Sequence, residues 1–501
     1  MIQYKKVSAV LFSLLLTAGI PLAAEDNSLQ LDFSSAILQM NNTNALLQSV
    51  RYEKEKSDYD KKSAMGLFFP KIDINFTYTH LNDPIEMDFN PLRDAMIGLS
   101  AQAYAGATGT GIPGATAFTN QANSNPSLAR SNFIETLQEQ DFWTVAATVK
   151  QPVFTGGKIL AANRAAEANR AAASEKVRYT QNALLTELAQ RYYSLRLAMK
   201  VVDVRKEVLD GMAAHLNQAT KMQENGMISN AEKLHAEVAY SEAEREYKKA
   251  LRDKDTVLSA LKNTLSSNAE ITPVSELFMS ENIRDISYYK EKAVQLNPVL
   301  AQMKANQELA HQGYMKEIAR YSPDIFVFGS ANVLHNNLGE STPEWYVGAG
   351  ATMTIFDGLS RYNSVKSASA TEKRVAAAMR QANRDIETLV EKSYNELMKD
   401  VEQIQTLEKS VEFAEEYLRV RDTAFKAGFG NSIDVVDARL NLSKVKIERL
   451  QALYEFDVSL ARLLEVSGIS DQYENYRKDA RTESDILTIM EKNGKPLSRL
   501  R

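Results

Sequence analysis

Asp434 and Asp437 lie three residues apart, a spacing that puts both carboxylates on one face of a helix. Like charges that close cost a helix about 0.2–0.5 kcal/mol, so the pair asks for a task. Catalysis is a poor candidate. The five histidines, His80, His215, His235, His311 and His335, show no metal-ligand spacing, and there is no cysteine to act as nucleophile or ligand. No Gly-rich phosphate loop or nucleophile elbow is present either. We therefore expect no enzyme, no cofactor and no metal. The chemistry left to such a pair is electrostatic.

The segment that positions the aspartates is a helical hairpin over 425–437. A long helical pattern stops at Gly428, whose freedom to take φ > 0 suits the C′ position. Asn431 reads as the N-cap of the outgoing helix, with Asp434 at the third position of a capping box. The same arrangement stands 202 residues earlier as Gly226, Ser229 and Glu232. An acid three residues after an N-cap also suits the helix dipole, so Glu232 and Asp434 have a capping role open to them as well as a functional one. Asp437 does not, because its counterpart at that offset is His235.

The offset of 202 also pairs Tyr192 with Tyr394, Gly156 with Gly358, Phe154 with Phe356, and the chain's two tryptophans, Trp143 and Trp345. Further upstream an offset of 253 pairs Pro70 with Pro323 and Asn44 with Asn297. A duplication organises the 501 residues. A secretory signal is expected over 1–24, a first repeat over 25–265, a connector over 266–287, a second repeat over 288–467 and a charged tail over 468–501. The change of offset places an insertion in the first repeat at about 86–140. Its Gly-, Ala- and Asn-rich stretch from Gly98 to Ser131 fits a long exterior loop or a linker without a task. With Lys and Arg at 59 and Asp and Glu at 64, no basic stripe suggests nucleic acid.

Helices are expected over 33–66 and 288–321, stopped by Pro70 and Pro323. Period-two alternation follows: Ile72, Ile74, Phe76 and Tyr78 share a face, as do Ile325, Val327, Ala331 and Val333, with Phe326 and Phe328 weakening the second run. Trp143, Val145, Ala147 and Val149 form one face of a third run, and Trp345 to Ile355 a fourth. From Trp143 to Phe154 a strand at about 3.3 Å per residue and a tilt of about 45° rises about 26 Å, close to the apolar band of a membrane barrel with its aromatic girdles. Trp143, Phe154, Trp345 and Phe356 would be those girdles, a soluble sheet being the other reading. Four strands cannot close around lipid, so the pattern implies an oligomer. Long helices over 158–225 and 359–427 carry apolar residues at three and four spacing, which implies coiled-coil packing. Gly211 marks a bend or is merely tolerated.

The duplicated order of strand pair, long helix, glycine tip and shorter return helix, with Asn297-Pro298 opening the second half and Gly428 preceding Asp434 and Asp437, resembles the TolC family of outer-membrane efflux proteins over about 29–467. The resemblance implies an α+β membrane protein. Each protomer would give four strands to a trimeric twelve-stranded transmembrane β-barrel, continued by a periplasmic α-helical coiled-coil barrel. It implies a homotrimeric exit duct in the Gram-negative outer membrane, serving tripartite efflux or type I secretion with a periplasmic adaptor and an RND or ABC inner-membrane pump. Asp434 and Asp437 match the entrance constriction, and Glu232 an acid of a polar latch. Gly226, Ser229, Glu232, Gly428, Gly430 and Asn431 would form the tips that dock the adaptor. Gly430 stands where TolC has the arginine of its latch, which removes that basic partner. A periplasmic coiled-coil adaptor without a barrel is the alternative, disfavoured by the two Trp-headed strand pairs.

Overall fold

The computed structural model describes residues 29–108, 133–339, 342–478 and 480–485. The expected signal, residues 109–132 of the insertion and the end of the tail lie outside them. In chain order the elements are β1 (Leu29–Leu31), α1 (Phe33–Thr43), α2 (Ala45–Gly66), β2 (Lys71–His80), β3 (Ile85–Asp88), α3 (Asn90–Thr108), β4 (Ile134–Gln138), β5 (Asp141–Phe154), α4 (Lys158–Glu224) and α5 (Asn230–Thr264). There follow β6 (Ile271–Pro273), β7 (Phe278–Met279), α6 (Ile286–Leu296), α7 (Pro298–Ala319), β8 (Asp324–Asn336), β9 (Trp345–Thr352), α8 (Ser360–Lys426), α9 (Ser432–Val466), α10 (Tyr473–Lys478) and β10 (Arg481–Thr482). The chain is mostly helical with a smaller β component. The helices α4 and α8 are each 67 residues long, and α5 and α9 each 35. Neither long helix contains proline, and helix formers such as Ala, Leu, Glu, Lys and Arg dominate both. Among the described residues no helix is long and apolar enough to cross a membrane.

Two compact units divide the chain. One takes the described residues through Tyr52, then Glu175–Ala301 and those from Gln381 on; the other is Glu53–Ser174 with Gln302–Arg380. The second unit holds an antiparallel sheet in the order β2-β5-β8-β9. Register sets Ile72 opposite Val149, Ile74 opposite Ala147 and Tyr78 opposite Trp143, so one face is apolar across strands. Among the described residues that face is uncovered: Ile74 and Val347 are each 76% exposed.

The first unit is built on a continuous core. Phe33, Tyr192, Tyr193, Phe278, Phe456 and Tyr473 are fully buried and meet in edge-on and tilted ring contacts of 5.2–6.4 Å. The Tyr192 hydroxyl donates to the Leu31 carbonyl at 2.6 Å and accepts from the Ser275 amide at 2.9 Å, joining α4 to β1 and to the segment after β6.

Several expectations change. The helices read over 33–66 and 288–321 each break in two, at Asn44 and Asn297, which leave helical geometry. Each asparagine ends one helix and caps the next: Asn44 Oδ1 accepts from Leu47 N, and Asn297 Oδ1 from Val299 N and Leu300 N. Pro298 then takes the first helical position, where its missing N–H costs nothing. The insertion is not featureless, since β3 pairs with β4 and α3 runs through Gly98. β9 ends at Thr352, leaving Met353, Ile355 and Phe356 beyond the strand. Phe326 and Phe328 do not weaken β8; they project from its other face over Gly350 and Gly348. The start of the tail packs into the core: Tyr473 is buried, β10 pairs with β7, and buried Glu483 meets Arg196 and Lys200.

Candidate functional site

Both hairpin tips lie in the first unit and end their long helices in the same way. Gly226 (φ 70°) and Gly428 (φ 80°) occupy the left-handed region. At the first tip Gly226 N donates to Gln223 O and Met227 N to Met222 O; at the second Gly428 N donates to Phe425 O and Phe429 N to Ala424 O. These paired bonds are Schellman closures, and they satisfy carbonyls that the helix end would orphan. The outgoing helices are capped alike. Ser229 Oγ accepts from Glu232 N at 3.3 Å and Asn431 Oδ1 from Asp434 N at 2.8 Å. The closures leave Met227 and Phe429 protruding, 62% and 92% exposed.

The acids differ in their partners. Asp434 is paired: Arg421 Nη1 on α8 lies 3.3 Å from its Oδ2, and the Arg421 guanidinium sits 5.0 Å from the centre of the Tyr417 ring. Asp434 thus has a basic partner thirteen residues before it, across the hairpin. Gly430 itself has no room for a side chain, because a Cβ there would come within 2.9 Å of Phe425 N. Among the described residues Asp437 has no ion-pair partner and stands exposed beside Asp434. Glu232 is half-buried and likewise unpaired among them.

Sequence reasoning missed three side chains that join α9 to the long helices. His215, buried on α4, places Nε2 2.8 Å from Ser432 Oγ at the start of α9, with its ring 4.8 Å from that of Phe425. Burial lowers the pKa of this imidazole and the Arg439 charge adds to the shift; Asp422 opposes it and His235 reinforces it. Gly211 does not interrupt α4, which continues through it, and the Arg439 guanidinium fills the space a Cβ would take. Lys446 reaches Glu207 on α4 at 3.1 Å and Glu415 on α8 at 3.4 Å. Each belongs to a helix face that the repeat alone could not single out.

In the second unit Trp143 lies in β5 with its ring 6.2 Å from that of Phe76, and Trp345 opens β9, 67% exposed. Phe154 ends β5 at 47% exposure, and Phe356 is 77% exposed past the end of β9. No group of three or more potential metal ligands exists among the described residues.

Comparison with known proteins places this geometry. The chain is 19% identical over 344 residues to the alkaline protease secretion protein AprF of Pseudomonas aeruginosa, covering 67% of this chain and 71% of that one. Its fold superposes on the Campylobacter jejuni CmeC outer membrane channel with a TM-score of 0.66 at 12% identity, covering 90% of each chain. It also superposes on the open state of the Neisseria gonorrhoeae MtrE outer membrane channel, TM-score 0.66 at 14% identity, over 87% of this chain and 89% of that one. A family match to outer membrane efflux proteins takes in residues 114–267 and 290–468, the larger part of the first repeat and nearly all of the second. The chain belongs to the outer membrane efflux protein family.

Proposed function

We propose that this outer-membrane exit duct works as a homotrimer, three copies closing a twelve-stranded barrel through the bilayer and continuing as an α-helical barrel in the periplasm. The observation that carries the proposal is the uncovered apolar face of the four-stranded sheet, with Ile72 at 68%, Ile74 at 76% and Val347 at 76% exposure. Water penalises such a face by roughly 25 cal/mol per Å², whereas the hydrocarbon band of a bilayer accepts it. The edges β2 and β9 carry unpaired backbone groups, which lipid does not tolerate. Two further copies would pair them. Trp143 and Trp345 then anchor one interface, and Phe154 and Phe356 the other.

Under threefold symmetry Asp434 and Asp437 gather six carboxylates at the periplasmic entrance. The tips around Gly226, Ser229, Glu232, Gly428, Gly430 and Asn431, with protruding Met227 and Phe429, receive the adaptor of an RND or ABC pump. The duct couples no energy and performs no catalysis, in keeping with a family of transport channels rather than enzymes. The name of the AprF relative favours protein secretion and the channel folds of the solved neighbours suit efflux equally; the cargo, protein or small molecule, is set by the pump. The test is the protein in detergent and in planar bilayers. A heat-modifiable trimer with discrete, cation-preferring channels is expected, and replacing Asp434 and Asp437 with Ala should raise conductance and reduce cation preference. A soluble monomer would refute the duct, and unaltered single-channel behaviour in the double variant would refute the constriction.

A further inference from the structure

The sheet has a second face. Opposite the apolar one, β2 presents Asp73, Asn75 and Thr77, and β5 presents Thr144, Thr148 and Lys150. In the barrel reading this is the lumen, and lumen faces are polar. Three aromatic residues stand against that rule. Register puts Phe328 beside Lys150 and Gly348, Phe326 beside Gly350, and Tyr346 beside Ser330, all on this face. Phe326 and Phe328 have ring centres 5.9 Å apart, and Phe328 and Tyr346 meet edge-on at 6.2 Å. The Phe rings fill the space above the two glycines, where a Cβ would come within 2.8 Å of either ring tip. Over Phe326 stands the Lys150 ammonium, 4.0 Å from the ring centre. Its cross-strand neighbour Lys71 is paired with Asp73 at 3.0 Å, whereas Lys150 has no carboxylate partner among the described residues.

A ladder of rings beside an unneutralised ammonium is complementary to one kind of solute, an amphiphilic anion with a planar apolar body. The ring of such a molecule can pack on Phe328 and Tyr346 while its anionic group meets Lys150. Covering glycines alone would need neither the tyrosine nor the cation. We infer that Phe326, Phe328, Tyr346 and Lys150 form a binding subsite on the lumen wall for aromatic anions, one per protomer, which transported solutes of that class visit on their way out. The inference rests on the barrel reading, because only that reading makes this face a lumen.

The chain has no cysteine, so single cysteines can test the face and the subsite separately. In membranes, a charged thiol reagent should modify Phe328→Cys and leave the adjacent Val327→Cys untouched. The reverse pattern would overturn the barrel reading and the subsite with it. In single-channel recordings 1-naphthoate should block the current at concentrations where acetate does not. Phe328→Leu, which keeps an apolar cover over Gly348, should weaken the block about fivefold. Lys150→Gln should weaken it by a similar factor, while leaving any block by neutral 1-naphthol unchanged. A reactive Phe328→Cys combined with naphthoate block that both variants leave intact, or equal block by acetate, would remove the subsite and leave the duct standing.

Discussion

The two hairpin tips share a backbone and differ in their polar chemistry. Glycine closure, side-chain N-cap and a third-position acid recur 202 residues apart with the same hydrogen bonds. The side chains around them do not recur. Arg421, which holds Asp434, has buried Ala219 as its counterpart; Asp437 has His235; and buried His215 has Tyr417, which stacks on Phe413 beneath Arg421. The shared features close a helical turn, a local problem with one economical solution. The others decide what each tip holds. The first tip lends a histidine to the second, and the second carries an internal acid–base pair together with a free carboxylate. A duplicated scaffold has thus become one tip with a single acid and one with an acid–base pair and a second acid, and in the proposed duct the second is where gating is to be sought.

The comparison breaks most severely at Gly430. The first tip carries Ile228 at this place, half-buried and packed against the cluster around Phe425. The second tip brings its chain so close to Phe425 that no Cβ fits without a backbone shift. Restoring an arginine there, Gly430→Arg, should therefore cost about 1–3 kcal/mol through overpacking rather than rebuild a latch. Thermal melting of the detergent-solubilised protein and trypsin cleavage around 425–431 would report it. A variant as stable as the parent would show that the tip can open to admit the side chain.

A middle-sized effect is expected at His215. Burial and the Arg439 charge lower its folded pKa beneath the unfolded value of about 6.5. The unfolded chain then binds more protons than the folded one between those two values, so stability is full above about pH 6.5 and falls as the pH drops toward the lowered value. Amide protection factors over 425–437, which correct for the intrinsic slowing of exchange in acid, should fall on going from pH 7.5 to 5.5. In His215→Gln that acid sensitivity should vanish, with a pH-independent loss of about 1 kcal/mol for the altered buried hydrogen bond. Acid sensitivity that survives the substitution would move the cause to His235 or to the carboxylates.

How much of this the sequence disclosed follows the range of the interactions. Gly226, Gly428, Ser229 and Asn431 were legible because capping is local, set by residues two to five apart. The four strands were legible through their alternation, though β9 proved shorter and Phe326 and Phe328 turned out to cover glycines two strand positions apart on a neighbour. Asn-Pro signals the break at the second site, but the apolar period runs through both Asn44 and Asn297 and hides the breaks. Arg421 and Asp434, or His215 and Ser432, meet across helices, 13 and 217 residues apart. Their pairing depends on the rotational setting of packed helices, which composition and period leave free. The folded start of the tail was hidden for the same reason, since its charge concealed Tyr473 and the residues that β7 would receive.

The smallest change in stability should come with the most informative change in function. Arg421 and Asp434 are each more than a third exposed, and an exposed pair of that kind contributes about 0.2–1 kcal/mol after solvent screening. Arg421→Ala should accordingly barely alter melting. In the proposed trimer, however, it would remove three positive charges from the entrance and leave the six carboxylates of Asp434 and Asp437 uncompensated. Cation preference should rise above that of the parent, the opposite of its fall in Asp434→Ala, and both shifts should shrink in high salt as the charges are screened. If Arg421 were only a strut for the hairpin, both variants would alter opening frequency and neither would move selectivity. Opposite shifts from the two halves of one ion pair would place the pair at the permeation path. The counterpart substitution at the first tip, Glu232→Ala, gives the reference: it deletes an acid with the same capping position and no cationic partner, so a selectivity shift there equal to that of Asp434→Ala would erase the distinction between the tips.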